Sequence, residues 1–173
     1  MSSVMGNNEG PMAWHTLPAA RLCFECALMA GRLAQLLRER FADNPSAVAS
    51  ALEFLDSRYQ MEAGEQPLVA WTGSLLERRN GDRYHPIDLL GYGLGLEPLE
   101  LELLILSGLA EQHEGYADIF RTLHPNALPR PSVGLAAQLL CPDDTAREAL
   151  RQHLESGAAI NGGVYTVEGD GPF

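Results

Sequence analysis

The feature that most constrains this chain is the spacing of its apolar residues, which recur every three or four positions. The pattern is clearest between Pro18 and Phe41, where it comprises Leu22, Cys23, Cys26, Met29, Leu33, Leu36 and Leu37. Such spacing places apolar side chains on one face of a helix, and proline is well tolerated in a first helical turn. The segment therefore predicts a long amphipathic helix with both thiols on its buried face.

Shorter segments with the same spacing follow, separated by prolines, glycines and capping residues. The segment after Pro98 is apolar nearly all round, which is typical of a central helix. Predicted helices run from Asn44-Pro45 to about Met61, over Pro86–Leu90 before Gly91, Gly93 and Gly95, from Pro98 onward, over Gly115–Leu123, from Ser132 to Leu140, and from Pro142-Asp143 to about Ser156. Leu68–Leu76 is apolar but too short for its spacing to decide between helix and strand, and we favour a helix. Asn80-Gly81-Asp82 predicts a turn.

The C-terminal residues have a different character. Ala158–Ile160 and Val164–Val167 flank Asn161-Gly162-Gly163, and Asn-Gly between such segments is a strong hairpin signal. Short helices followed by one hairpin are the element order of a winged helix-turn-helix. We therefore predict a mainly α fold: a helical N-terminal part plus a winged-helix-like unit with a C-terminal β-hairpin as its wing.

This pattern divides the chain of 173 residues into four parts. Residues 1–15, rich in Ser, Gly, Asn and Pro, are expected to be a disordered N-terminus. Residues 16–82 are expected to form a helical subdomain and residues 83–168 the winged-helix-like domain. Residues 169–173 resemble the start of a linker, which suggests truncation at a domain boundary.

Composition excludes several functions. The formal net charge is −11, and residues 97–120 contain acidic side chains but no arginine or lysine, so nucleic acid and anionic lipid are not expected partners. All 12 basic residues are arginine, which excludes a Walker A loop and a Schiff-base lysine. With no apolar run of about 18 residues and no signal peptide, we expect a cytoplasmic protein without a membrane span.

No candidate motif is complete enough to assign a catalytic, cofactor-binding or metal-ligating residue. Cys23-x-x-Cys26 lacks the other two ligands of a zinc site and the βαβ context of a redox pair, and Cys141 is alone. Gly91–Gly95 lacks the spacing of a dinucleotide loop and is better explained by helix termination. The histidines are scattered and expected at surfaces or caps, and the acidic stretch around Glu100 and Glu102 is expected to be a solvated face. The scattered histidines are His15, His85, His113, His124 and His153.

Two segments resemble the N-terminal region of bacterial AAA-family ATPases. Leu94–Leu106 is similar to a "GLs-x-x-E-x-x-LLLL" segment, and Arg130–Leu140 is similar to "RPSVGLAL-x-LL". The resemblance extends over about residues 84–173 and includes a linker like Gly169–Phe173. Ser107–Gln112 departs from it, since the family often has an acidic "ELD" there, and the first 80 residues resemble no family.

The resemblance implies a non-catalytic N-terminal protein-interaction or regulatory domain of a larger AAA+ ATPase, some relatives of which are encoded with contractile injection systems. ATP and Mg²⁺ would be bound by a motor part outside this chain, which itself would need no cofactor. The expected partner is protein: the chain's own ATPase core, a neighbouring subunit or a client.

Two other functions stay open from the sequence. A winged-helix DNA-binding regulator would use Asp143–Glu155 as its recognition helix, but that segment has four acidic side chains and only two arginines, whereas a DNA reader usually presents a net basic face. A small enzyme of unrecognised type would need a deep pocket with converging polar groups.

Overall fold

The computed structural model describes residues 20–71 and 85–169, and every regular element in this part of the chain is a helix. The helices are α1 (Ala20–Arg40), a 3₁₀ helix (Pro45–Val48), α2 (Ala49–Ala63), a helical turn at 68–71, α3 (Pro86–Leu94), α4 (Pro98–Gln112), α5 (Glu114–Leu123), α6 (Val133–Leu140), α7 (Asp144–Ser156) and α8 (Ala158–Asn161). None of the described helices is long and apolar enough to cross a lipid bilayer. The predicted disordered N-terminus, the turn at Asn80–Asp82 and residues 72–76 and 170–173 lie outside the described residues.

The long first helix forms, as its apolar spacing predicts, and lies at the centre of the fold. α1 packs against α2, α4 and α6, and its Leu33 and Leu37 are fully buried together with Leu106 and Phe120. One apolar cluster joins these residues to side chains of α2 and α5–α7. The predicted parts 16–82 and 83–168 thus share a core, and their division into two units stays a prediction.

A smaller aromatic cluster covers the first turns of α1. Trp71 is 1% exposed and packs against Phe24, with 4.6 Å between ring centroids. Tyr59 of α2 meets the same indole edge-on at 5.1 Å, and its hydroxyl donates to the carbonyl oxygen of Gln66 at 2.6 Å. These contacts fix the polypeptide that follows α2 against the α1–α2 pair.

The mainly α prediction is confirmed, but the predicted C-terminal β-hairpin is wrong, and with it the winged-helix-like unit. Residues 158–161 form a helical turn instead of a strand. The N–H of Gly163 donates to Ile160 at 3.1 Å and the N–H of Val164 to Ala159 at 2.8 Å, while Gly163 has φ 67°. This is the glycine-terminated end of a helix, so Asn161-Gly162-Gly163 stops α8 and turns no hairpin.

The glycines after Leu90 also behave differently from the prediction. α3 continues through Gly91 and Gly93 and ends only at Gly95, which has φ 66°. There the N–H of Leu96 donates to Gly91 at 2.8 Å. A glycine inside a helix costs only about 1 kcal/mol relative to alanine, so the left-handed residue, and not the first glycine, sets the boundary.

Two glycine substitutions should change stability in opposite directions. A Cβ at Gly157 would lie 2.5 Å from the carbonyl oxygen of His153 and would also overlap the Glu100 carboxylate. Gly157→Ala should therefore lower the free energy of unfolding by about 2–3 kcal/mol through overpacking. Gly108 lies inside α4 with no atom within 4 Å of its added Cβ, so Gly108→Ala should raise stability by up to about 1 kcal/mol. Urea unfolding followed by circular dichroism measures both, and equal effects would contradict this packing.

Candidate interaction surfaces

A buried carboxylate ties the start of α4 to the C-terminal part of the chain. Glu100 is 0% exposed. Its Oε2 accepts from the backbone N–H of Glu97 at 2.9 Å, and its Oε1 accepts from the N–H of Ala159 at 2.9 Å. The Nδ1 of His153 lies 3.8 Å from Oε2. A buried carboxylate needs such donors, because an unsatisfied one is very costly.

This arrangement corrects the expectation that the acidic stretch is a solvated face. Glu100 is buried, and Glu102 is half-buried with its Oε2 3.7 Å from Nη1 of Arg32. The local signal is Glu97-Pro98-Leu99-Glu100, in which an acid in the first turn accepts from the residue before the helix. His85-Pro86-Ile87-Asp88 repeats it, since the N–H of His85 donates to Asp88 Oδ2 at 3.3 Å.

Helix α3 turns an apolar face to the outside. Its inner side is formed by the buried Gly91, which faces Leu101, and by Ile87, which packs on the main core. An ion pair of 3.5 Å between Arg21 and Asp88 joins it to α1. Four large apolar side chains of the helix are exposed: Leu89 by 53%, Leu90 by 44%, Tyr92 by 87% and Leu94 by 43%. We call these four residues the α3 face, and such clustering marks an interaction site more often than a bare surface.

The sequence around the α3 face is acidic. Between Pro86 and Phe120 the chain has seven acidic residues and neither arginine nor lysine: Asp88, Glu97, Glu100, Glu102, Glu111, Glu114 and Asp118. Of these, Glu100 is buried, and Asp88 and Glu102 lie beside arginines. Glu97, at the start of α4, is exposed next to the end of α3 and adds a negative charge beside the α3 face.

A groove lies on the other side of α4. Its floor is formed by apolar side chains of α4, α6 and α7, and its two walls are residues 124–132 and 165–169. It encloses about 470 Å³. Arg130 of one wall and Glu168 of the other form an ion pair of 2.6 Å across the opening, and both side chains are about half exposed.

Tyr165 connects this groove to the buried carboxylate. Its ring packs on the main core, and its buried hydroxyl has no hydrogen-bond partner among the described residues. Burial, and secondarily the charge of Glu100, raises the pKa of Tyr165 to about 12. The phenol therefore stays protonated at neutral pH and is a neutral part of the wall.

The two thiols of the CxxC motif lie in different environments, which corrects the expectation that both are buried. Cys23 is exposed, whereas Cys26 is buried and its Sγ accepts from Nε2 of Gln112 at 3.2 Å. Burial raises the pKa of Cys26 to about 11. The third thiol, Cys141, is buried, donates to the carbonyl oxygen of Ala146 at 3.4 Å, and also has a raised pKa because of burial. The two buried thiols, Cys26 and Cys141, thus pack in the core and form hydrogen bonds.

The histidines and the proposed DNA-reading helix have local partners. His113 Nδ1 accepts from the N–H of Gly115 at 3.0 Å and caps α5, and His124 Nδ1 accepts from Asn126 at 3.0 Å. On α7, Arg147 lies 3.4 Å from Asp144 and Arg151 lies 3.9 Å from Glu148. Across residues 20–71 and 85–169, no group of three or more potential ligands is placed to hold a metal ion, and His15 lies outside these ranges.

Comparison of the chain with models of protein families, with curated proteins and with solved structures finds no match.

The three thiols should react at very different rates. At pH 8 and without denaturant, a chromogenic disulfide reagent should modify Cys23 quickly and the two buried thiols far more slowly, because the thiolate is the reactive form. For Cys26, a pKa of about 11 leaves on the order of one molecule in a thousand ionised at that pH. Cys23→Ser should remove the fast phase, and guanidinium should expose the remaining thiols. A fast phase that survives Cys23→Ser would contradict the burial.

Proposed function

We propose that this chain is a non-catalytic protein-interaction module that precedes the motor of a larger AAA+-type ATPase. The observation that carries the interaction role is the α3 face, which presents four exposed apolar side chains within six residues of one helix. ATP and Mg²⁺ would be bound by the motor, since this chain has no lysine for a phosphate-binding loop.

The α3 face lies on a helix that is joined to the rest of the fold at both ends. The Arg21–Asp88 ion pair joins its first turn to α1, and the left-handed Gly95 ends it directly before α4. Tyr92, 87% exposed, is of the residue type that most often dominates binding energy in protein interfaces.

The link to an ATPase rests on the sequence resemblance and on where its segments lie. Leu94–Leu106 spans the end of α3 and most of α4, and Arg130–Leu140 leads into α6. The two helices pack against each other in the main core. The two segments thus belong to one packed core, as expected if the resemblance covers a single structural unit.

The alternative of a DNA-binding regulator has less support from charge. The two arginines of α7 both lie beside acidic side chains of the same helix, so this helix has no net positive face for a phosphate backbone. With a formal charge of −11 for the chain, long-range electrostatics oppose approach to DNA.

The proposal predicts that the α3 face contacts an ATPase core. A photo-crosslinking amino acid placed at Tyr92, in the natural gene expressed in its host, should form crosslinks to peptides of an ATPase core, in the same or a neighbouring subunit, as identified by mass spectrometry after digestion. The matched position is Glu53, which is exposed on α2 and should give no such product. Crosslinks to DNA, or crosslinks equal at both positions, would reject the proposal.

A second prediction concerns affinity. Tyr92→Asp should weaken binding of the crosslinked partner by at least about tenfold, because it removes an aromatic anchor and adds a charge to an apolar contact. Its free energy of unfolding should change by less than about 0.5 kcal/mol, since the side chain is exposed. Isothermal titration and urea unfolding measure the two quantities, and unchanged affinity would count against the α3 face.

A further inference from the structure

Residues 164–167 have the pattern of a β-strand but lie beside helices only. Val164-Tyr165-Thr166-Val167 consists of residues that favour strands. Tyr165 and Val167 are half-buried and pack on the main core, Thr166 and Glu168 are exposed, and Val164 is also half-buried. From Tyr165 to Glu168 the exposure alternates with the period of two that a strand has when one of its faces is buried.

Beyond Val164, whose N–H donates to Ala159, the backbone of this segment has no backbone partner among the described residues. The N–H and C=O groups of residues 165–169 make no hydrogen bond to the backbone of any other described residue. Such unpaired backbone donors and acceptors can pair with an added strand.

The groove lies directly beside this backbone, because residues 165–169 form one of its walls. Its floor includes Leu103, Leu106 and Leu154, and its volume of about 470 Å³ is within the range of ligand sites. The two charges at its opening, on Arg130 and Glu168, neutralise each other. The groove is therefore suited to uncharged, mainly apolar side chains.

We propose that this groove binds an extended segment of a partner protein, which adds as a strand to residues 165–168 and places alternate apolar side chains on the groove floor. This inference rests on the proposed interaction function and specifies a partner class that the α3 face does not. The Arg130–Glu168 pair would hold the two walls together and separate easily, because exposed ion pairs contribute at most about 1 kcal/mol.

The test measures the binding of three blocked pentapeptides to the protein of residues 1–173. The probe is acetyl-Thr-Val-Thr-Val-Thr-amide, and the other two carry N-methyl groups either on the valine or on the threonine amides. In a strand, alternate N–H groups point to opposite edges, so one methylated peptide should lose at least about tenfold in affinity and the other should bind like the probe. NMR titration of ¹⁵N-labelled protein measures the affinities, with shifts expected at the amides of residues 165–168.

A pair of variants separates groove binding from general apolar adsorption. Ser107 is exposed on α4 and lines the groove. Ser107→Trp should therefore fill the groove and weaken binding of the probe peptide by about tenfold or more. Glu111→Trp adds the same indole to an exposed position of the same helix outside the groove and should leave affinity unchanged. Circular dichroism verifies that both variants fold.

Equal binding of the two methylated peptides, or no binding of the probe at millimolar concentration, would overturn the strand proposal. Shifts confined to α3 would do the same. None of these results would affect crosslinking at Tyr92, so failure of this proposal is distinguishable from failure of the proposed function.

Discussion

The arrangement of both surfaces depends on the buried carboxylate of Glu100. Its two oxygens accept backbone N–H groups that are 62 residues apart in the chain, those of Glu97 and Ala159. The first bond fixes the start of α4 directly after α3. The second fixes α8 just before residues 165–169, which form one wall of the groove. A fully buried charge is tolerated only where such donors converge on it. The α3 face and the groove wall are thus positioned from one point in the core.

The charge of the molecule is consistent with exposing apolar surface. A net charge of −11 makes two copies repel each other, which opposes self-association through the α3 face. Acidic flanks also favour a partner of opposite charge. The same charge disfavours phosphate backbones, so the physical features of the surface agree in favouring protein as the partner.

Sequence patterns predicted the helices well where packing and periodicity agree. The apolar stripe of α1 and the start of α7 at Asp143 could be found from the sequence, whereas no pattern singled out His113 as the cap of α5. Asn161-Gly162-Gly163 could not be resolved locally, because the same residues stop a helix and turn a hairpin. The outcome depends on the contact between Ala159 and Glu100, which lie 59 positions apart in the chain.

The candidate surfaces were harder to predict for the same reason. Apolar spacing in α3 does not say that Leu89, Leu90, Tyr92 and Leu94 face outward, since that depends on Gly91 packing near Leu101. Glu100 has the residue type of a solvated position, and only its place in the first turn of α4 indicated another role. The groove combines α4, α6, α7 and the C-terminal segment, which no local pattern brings together.

Hydrogen–deuterium exchange of Glu100→Gln, compared with the exposed Glu111→Gln, tests the central claim most directly. The glutamine amide has the size of the carboxylate, but it presents an NH₂ group to one of the two backbone N–H donors. Leaving that N–H without an acceptor should lower the free energy of unfolding by about 1–3 kcal/mol. We expect faster exchange in Glu100→Gln at the start of α4 and throughout residues 158–168, with α1 and α2 unchanged and Glu111→Gln like the natural protein. Unchanged exchange at both the start of α4 and residues 158–168, or an equal increase across the whole molecule, would contradict the account.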